Sequence, residues 1–218
     1  MSVLVDALRN RFAHDHVITD ELRRLAYGTD GSFYRLIPEA VVVVNDENEV
    51  RGVVELARQY QRTVTFRAAG TSLCGQAVTD GVLVLLGEGL ATCTISADGS
   101  TVQVGPAIIG AEVNRRLAPL GRKIGPDPAS INAAKIGGMA ANNSSGMCCG
   151  TAQNSYNTLA AIRVLLADGT VLDTGDSSSM AAFKISHRSL LERLAALSAD
   201  VRADKALANR IRAKYKIK

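Results

Sequence analysis

The segment Arg67-Ala68-Ala69-Gly70-Thr71-Ser72-Leu73-Cys74-Gly75-Gln76 follows directly on Thr63-Val64-Thr65-Phe66, a short strand-forming run. A diphosphate needs several N–H donors brought to one place. Successive amides in a turn form such an anion nest, and small residues let the backbone come close to the ligand. Thr71 and Ser72 add hydroxyl donors. An ordinary strand-to-loop connection is the competing reading of this segment taken alone. Two common phosphate motifs are excluded. Gly70 and Gly75 have the glycine spacing of a P-loop, but Gln76 stands where its lysine belongs. A G-x-G-x-x-G turn between strand and helix, the mark of a Rossmann dinucleotide site, is also absent.

A second constellation lies further along. Pro126-Asp127-Pro128 is followed by Ile136-Gly137-Gly138-Met139-Ala140-Ala141-Asn142-Asn143-Ser144-Ser145-Gly146-Met147-Cys148-Cys149-Gly150-Thr151. The prolines stiffen the approach. Gly137 and Gly138 permit backbone contact with a flat or anionic ligand, and Asn143, Ser144 and Ser145 offer donors. The alternative is an ordered Ω-type loop held by its own polar side chains.

Other chemistry is poorly supplied. The four cysteines, Cys74, Cys93, Cys148 and Cys149, make no C-x-x-C pair, so the spacing indicates neither a zinc nor an iron–sulfur site. Adjacent Cys148 and Cys149 bridge only with backbone distortion, and both read as small structural hydrophobes in a reducing compartment. His14, His16 and His187 fall in no motif.

These segments need elements to position them. Helical spacing covers residues 2–13 and 19–27, with Thr19 or Asp20 as cap, and the turn-rich stretch Tyr27-Gly28-Thr29-Asp30-Gly31-Ser32 follows. Pro38 introduces Val41–Val44 as a buried strand. A helix from about Glu47 to Gln61, capped by Asn45 or Asp46, leads to the strand Thr63–Phe66. That order is a βαβ unit with parallel strands and a right-handed crossover. Val82–Leu86 offers a third strand. Beyond residue 90 the pattern turns antiparallel, with a hairpin of 91–96 and 101–105, a helix over 110–118, and a second hairpin of 159–167 and 170–174. The stretch from Pro119 to Asn157 shows few periodic signals, and a loop that long inside a compact domain is commonly functional. After Ser177 the chain is helical, with Phe183, Leu190, Leu191, Leu194, Leu197 and Val201 near one face.

Length and 47% hydrophobic content suit one α/β or α+β unit with a real core. The net charge of +4 gathers on Arg202, Lys205, Arg210, Arg212, Lys214, Lys216 and Lys218, with only Tyr215 as an aromatic neighbour. That reads as a solvated helical face, and no nucleic-acid partner is expected. The N-terminus is an amphipathic helix carrying Asp6, Arg9 and Arg11, unlike a signal peptide, and the apolar runs are too short for a membrane span.

The two glycine segments, together with Tyr27–Ser32, Pro38, Val41-Val42 and the hairpin Ile162–Thr170, resemble the FAD-binding domain of the vanillyl-alcohol oxidase and p-cresol methylhydroxylase (PCMH) type. Within that type they are most similar to FAD- and iron–sulfur-associated D-lactate and D-2-hydroxyglutarate dehydrogenases. The resemblance implies an α+β fold of two lobes: a helical segment over 1–37, a parallel βαβ lobe over 38–88, and a mainly antiparallel lobe over 89–218, truncated at its C-terminus. It implies that Arg67, Ala68, Ala69, Gly70, Thr71, Ser72, Gly75 and Gln76 form the pyrophosphate loop. Pro126, Asp127, Gly137, Gly138, Asn143, Ser144 and Gly146 would line the other wall, and Ile162 and Val164 would present backbone to the cofactor. Relatives that attach FAD covalently use a histidine in the first loop or a cysteine before the glycine pair. Thr71-Ser72 and Lys135-Ile136 stand there instead, which implies non-covalent FAD.

The implied activity is oxidation of a D-2-hydroxy acid by hydride transfer to FAD, with electrons passed to a quinone or an electron-transfer protein. Any iron–sulfur cluster belongs to the region downstream of Lys218, as do the substrate pocket and catalytic base, so this chain alone is expected to be inactive. A cytoplasmic location is expected, with peripheral association at the inner membrane as its variant. A non-catalytic FAD- or nucleotide-binding module is the alternative. A sugar-nucleotide reductase on the same fold lacks support, because nothing after residue 175 suggests its second pocket.

Overall fold

The structure, a computed structural model, describes residues 2–215; Lys216 and Lys218 of the basic run lie outside the described residues. The chain forms two compact units, Met1–Thr158 and Leu159–Lys218.

The first unit begins with α1 (Val3–Arg11), capped by the Ser2 hydroxyl. A two-residue strand β1 (Val17–Ile18) follows, then α2 (Glu21–Tyr27), whose Asp20 carboxylate accepts from the Arg23 amide. Next come β2 (Ala40–Val44), α3 (Glu47–Gln59), β3 (Val64–Arg67) and β4 (Val82–Leu86). Asp46 caps α3 through the Glu49 amide, and the Glu49 carboxylate reaches back to the Asn45 amide. This reciprocal pairing satisfies two donors that would otherwise be orphaned where the strand turns into the helix.

The sheet order is β1-β2-β4-β3. The expected parallel relation of the two βαβ strands holds, but they do not touch: β4 enters between them and pairs parallel with both. Strand β1 is the antiparallel edge, pairing Val17 with Val42; two residues are too few to leave a periodic signal. Both faces of the inner strands are covered. Val42, Val44, Val82 and Val84 pack against Leu4, Leu8, Val53 and Leu56 on one side, while Val41 and Leu83 meet Ile18 and Tyr27 on the other. Covering on both faces is why β2 and β4 read as continuous apolar runs without alternation. Leu8 is wholly buried, a burial that stabilises by roughly 1.5–3 kcal/mol.

The rest of the unit is built on β5 (Cys93–Ile95) and β6 (Val102–Val104), an antiparallel hairpin. Helix α4 (Gly110–Leu117) covers it through Val113 and Leu117. The stretch without periodic signals holds two helices too short to show a period, α5 (Ile136–Ala141) and α6 (Ser155–Thr158).

The second unit contains the hairpin β7 (Arg163–Leu165) and β8 (Val171–Asp173), followed by α7 (Ser177–Ser186), α8 (Arg188–Ala203) and α9 (Lys205–Lys214). Of the apolar stripe anticipated here only Phe183 is buried; Leu190, Leu194 and Leu197 are exposed. Phe183 stacks on the His187 ring, 4.2 Å between centroids, and His187 Nε2 lies 2.8 Å from Asp168 Oδ2, tying the helices to the hairpin turn.

Candidate functional site

Strands β3 and β4 are parallel, with Arg67 beside Leu85, so their carboxyl ends lie together. The first glycine segment leaves from that end of β3. The second is anchored at the same edge, where Lys135, the residue before α5, donates from Nζ to the Leu86 carbonyl at 2.8 Å. In open α/β sheets this carboxyl edge is where ligands commonly bind.

The first segment is a loop with few backbone bonds of its own. Among the described residues, the amides of Ala69, Gly70, Thr71 and Ser72 have no protein acceptor. The loop is shaped by its own side chains and by residues beyond it. The Ser72 hydroxyl accepts from the amides of Cys74 and Gln76 and donates to Gln76 Oε1 at 2.8 Å. Gly75 lies against the Tyr34 ring, where a β-carbon would come within 2.8 Å. The Gly70 carbonyl accepts from the Gly31 amide at 2.8 Å. Gly70 itself has φ +70°, and a β-carbon there would lie 2.5 Å from Arg67 Nη2. Glycine is therefore required both by backbone conformation and by the guanidinium that fills the side-chain direction.

Arg67 is half-buried. Its Nη1 donates to the carbonyls of Thr29 at 2.5 Å and Tyr27 at 3.2 Å, and its guanidinium sits 5.8 Å from the centre of the Tyr27 ring. Asp30 adds a second tie, accepting from the Ser32 amide and hydroxyl and from the Ala77 amide. Burial raises the Asp30 carboxyl, but those hydrogen bonds, with Arg67 nearby, outweigh it and hold it below the ordinary carboxylate range. The turn Tyr27–Ser32 is thus a structural partner of the loop, a role its sequence did not reveal.

The second segment divides by function. Ile136 and Gly137 donate to the carbonyls of Ile108 and Pro106 at 2.9 Å each, and Gly137 packs on Pro106. These two residues dock α5. Gly138 faces the first loop: a β-carbon there would lie 3.2 Å from the Ala68 β-carbon. The structure therefore brings Arg67–Gln76 and Gly138 together. Asn143, at φ +45°, accepts from the Tyr156 amide, and the Ser144 carbonyl accepts from the Ser155 amide and hydroxyl. Asn tolerates this left-handed conformation better than most residues. Gly146 meets Asp127 so closely that a β-carbon would overlap its carboxylate. Asp127 also accepts from the Cys149 amide at 3.2 Å, and the cysteine thiols beside it, Cys149 first, hold its carboxyl below the ordinary range. Pro126 is buried beside this knot, Cys149 is buried within it, and Cys148 is exposed. Ile162 and Val164 belong to the second unit, where Ile162 exchanges hydrogen bonds with Thr174. Among the described residues no group of three or more His, Cys, Asp or Glu could hold a metal. No helix there is long and apolar enough to cross a membrane.

A family model described as "FAD binding domain" matches residues 38–175. The chain is 30% identical over 155 residues to D-2-hydroxyglutarate dehydrogenase of Escherichia coli strain K12, covering 69% of this chain and 15% of that protein. It is 28% identical to glycolate oxidase subunit GlcD of Bacillus subtilis strain 168, covering 70% of this chain and 33% of the relative. The chain thus spans a third or less of the length of both relatives. The solved structure of an alkyldihydroxyacetonephosphate synthase superposes with a TM-score of 0.68 at 20% identity, covering 83% of this chain and 38% of that one; this likeness shows the fold, an α+β fold of the PCMH type. The first loop suits the cofactor on physical grounds, since consecutive unpartnered amides on a glycine-bearing turn are what an anionic diphosphate requires. A match that covers more than half of the residues, on a fold whose two glycine segments meet at one sheet edge, places the chain in the FAD-binding domain family.

Proposed function

We propose that this chain is the FAD-binding part of a dehydrogenase that oxidises a D-2-hydroxy acid. The observation that carries the reading is the run of amides at Ala69–Ser72 without protein acceptors, set beside Gly138. In this reading the amides of Ala68 to Ser72 bind the diphosphate. Gly138 leaves room for the cofactor to pass close to the backbone of α5. Asn143, Ser144 and Gly146 shape the adjoining wall, with Asp127 fixing its curvature. The assignment of Ile162 and Val164 to the cofactor rests on the resemblance of the hairpin Ile162–Thr170 alone. FAD, when bound, supplies the hydride acceptor that 2-hydroxy-acid oxidation requires. The lobe division of 38–88 and 89 onward belongs to the same reading, as does non-covalent attachment, supported by Thr71, Ser72, Lys135 and Ile136 at the positions where a linkage would form.

Substrate class rests on the relatives, two of which are named for D-2-hydroxyglutarate and glycolate, both 2-hydroxy acids. A quinone or an electron-transfer protein is the proposed electron acceptor, with the protein in the cytoplasm or peripheral to the inner membrane. The 218-residue chain by itself is proposed to lack turnover, because none of its histidines occupies a motif suited to taking the hydroxyl proton.

The test is anaerobic mixing of the flavin-loaded, full-length protein with D-2-hydroxyglutarate, D-lactate and glycolate in turn, following the visible flavin absorbance. Bleaching by at least one acid, with turnover on adding an artificial acceptor, is expected. A flavin-loaded protein that none of the three reduces would point to the non-catalytic binding module. Turnover by the 218-residue chain alone would place a base within it.

A further inference from the structure

The family match begins at residue 38, yet the first glycine loop is held by residues that precede it. Arg67 Nη1 donates to the Tyr27 and Thr29 carbonyls, the Gly31 amide donates to the Gly70 carbonyl, and Asp30 accepts from the Ala77 amide at the far end of the loop. The remaining guanidinium atoms lie against Gly70: a β-carbon there would meet Nη2, Nε and Cζ at 2.5, 2.6 and 2.7 Å. Gly31 is close-set too, since a β-carbon on it would come within 2.9 Å of the Ser72 carbonyl oxygen. A cation is thus fixed at the loop that carries the unpartnered amides of Ala69–Ser72.

We propose that Arg67 is a positioning residue for the diphosphate of the cofactor, and that Tyr27–Gly31 forms with it a clamp that sets the loop from outside the matched domain. This rests on the reading of Ala68–Ser72 as the diphosphate loop. The clamp acts in two ways. Backbone carbonyls at Tyr27 and Thr29 orient the guanidinium, so its charge is already in place before the anion arrives. A pre-oriented cation in a half-buried setting attracts an anion more strongly than a mobile one on the surface. The bonds to Gly31 and Asp30 pin both ends of the loop and keep its amides from turning inward to protein acceptors. Arg67 does not touch a reacting atom in this account; its effect is on diphosphate affinity.

The experiment titrates FAD, ADP and riboflavin into the 218-residue chain and its variants by fluorescence and calorimetry, with melting temperatures measured in parallel. Riboflavin shares the ring system and lacks the diphosphate; ADP is the reverse. Arg67→Met should weaken FAD and ADP by about tenfold or more, the scale of a lost charge-assisted contact, and leave riboflavin within about twofold of wild type. Arg67→Lys, which keeps the charge but lacks the planar guanidinium that lies against Gly70 and beside the Tyr27 ring, should fall between. Gly31→Ala, outside both the loop and the family match, should weaken FAD and ADP several-fold while Arg67 is intact, and it carries the test should Arg67→Met fail to fold. A folded Arg67→Met or Gly31→Ala protein that binds FAD and ADP as tightly as wild type overturns the clamp. Equal losses for riboflavin and ADP also overturn it, since they would indicate general loosening. A wild-type chain that takes riboflavin but neither FAD nor ADP overturns the diphosphate-loop reading itself.

Discussion

Gly70→Ala and Gly121→Ala make the same demand on the backbone in different surroundings. Gly70 has φ +70° and Gly121 has φ +65°. An alanine in this left-handed region costs roughly 1–2 kcal/mol relative to glycine. At Gly121 nothing lies within 4 Å of the new methyl group, so this conformational term is the whole expected effect. At Gly70 the methyl would sit 2.5 Å from Arg67 Nη2. A side-chain tip can usually retreat, but this one is held by the Thr29 and Tyr27 carbonyls at 2.5 and 3.2 Å. Displacing it forfeits hydrogen bonds from a charged donor, about 1.5–3 kcal/mol. Gly70→Ala should therefore destabilise by about 2.5–5 kcal/mol, more than Gly121→Ala. Urea unfolding of both variants followed by far-UV circular dichroism measures the difference, and FAD titration should show a loss at Gly70 only. Two variants equal in stability within about 0.5 kcal/mol, the range of ordinary surface substitutions, would show that Arg67 moves freely and that the loop is not clamped as described.

Three further outcomes are expected. Acid or heat precipitation of the flavin-loaded protein should release all the flavin to the supernatant; colour retained by the pellet, or a denatured chain heavier by one FAD, would refute non-covalent attachment and direct attention to Cys148 and Cys149. Asp127→Ala removes the carboxylate that accepts from the Cys149 amide, so at neutral pH the buried Cys149 should react with a thiol reagent about tenfold faster, by the loss of roughly one hydrogen bond, a larger change than at exposed Cys148. In the second unit, the Thr170 amide and then the His187 side chain lower the Asp168 carboxyl from 3.8 to about 2. A carboxyl lowered on folding contributes stability above its unfolded value and loses it as pH falls through the folded one. Stability should thus decline from about pH 4 to pH 2, and Asp168→Asn should flatten that decline in denaturant titrations at successive pH values; an identical decline in the variant would exclude Asp168 as a source.

The nature and order of the long elements were determined locally. Val41–Val44 and Val82–Leu86 are apolar throughout because both faces of their sheet are covered, and Asp20 and Asp46 cap their helices through bonds spanning three residues. Such signals survive in sequence because every participant is close by. The first loop was also legible as a loop, a run of small residues directly after a strand, although that pattern alone leaves an ordinary strand-to-loop connection as its competing reading. What the tertiary structure alone decided is how these pieces meet. The insertion of β4 between β2 and β3 depends on pairing across the whole first unit. Helix α5, at six residues, is shorter than two turns, so it leaves no apolar period and exists through its docking on Pro106 and Ile108. The roles of Gly137 and Gly138 part for the same reason: adjacent and identical in sequence, they face Pro106 and Ala68 respectively, and only the second borders the loop. Arg67 read as one more residue of the glycine segment. Its partners at Tyr27 and Thr29 are some forty residues away and are backbone carbonyls, which every residue possesses and which no pattern of side chains can announce.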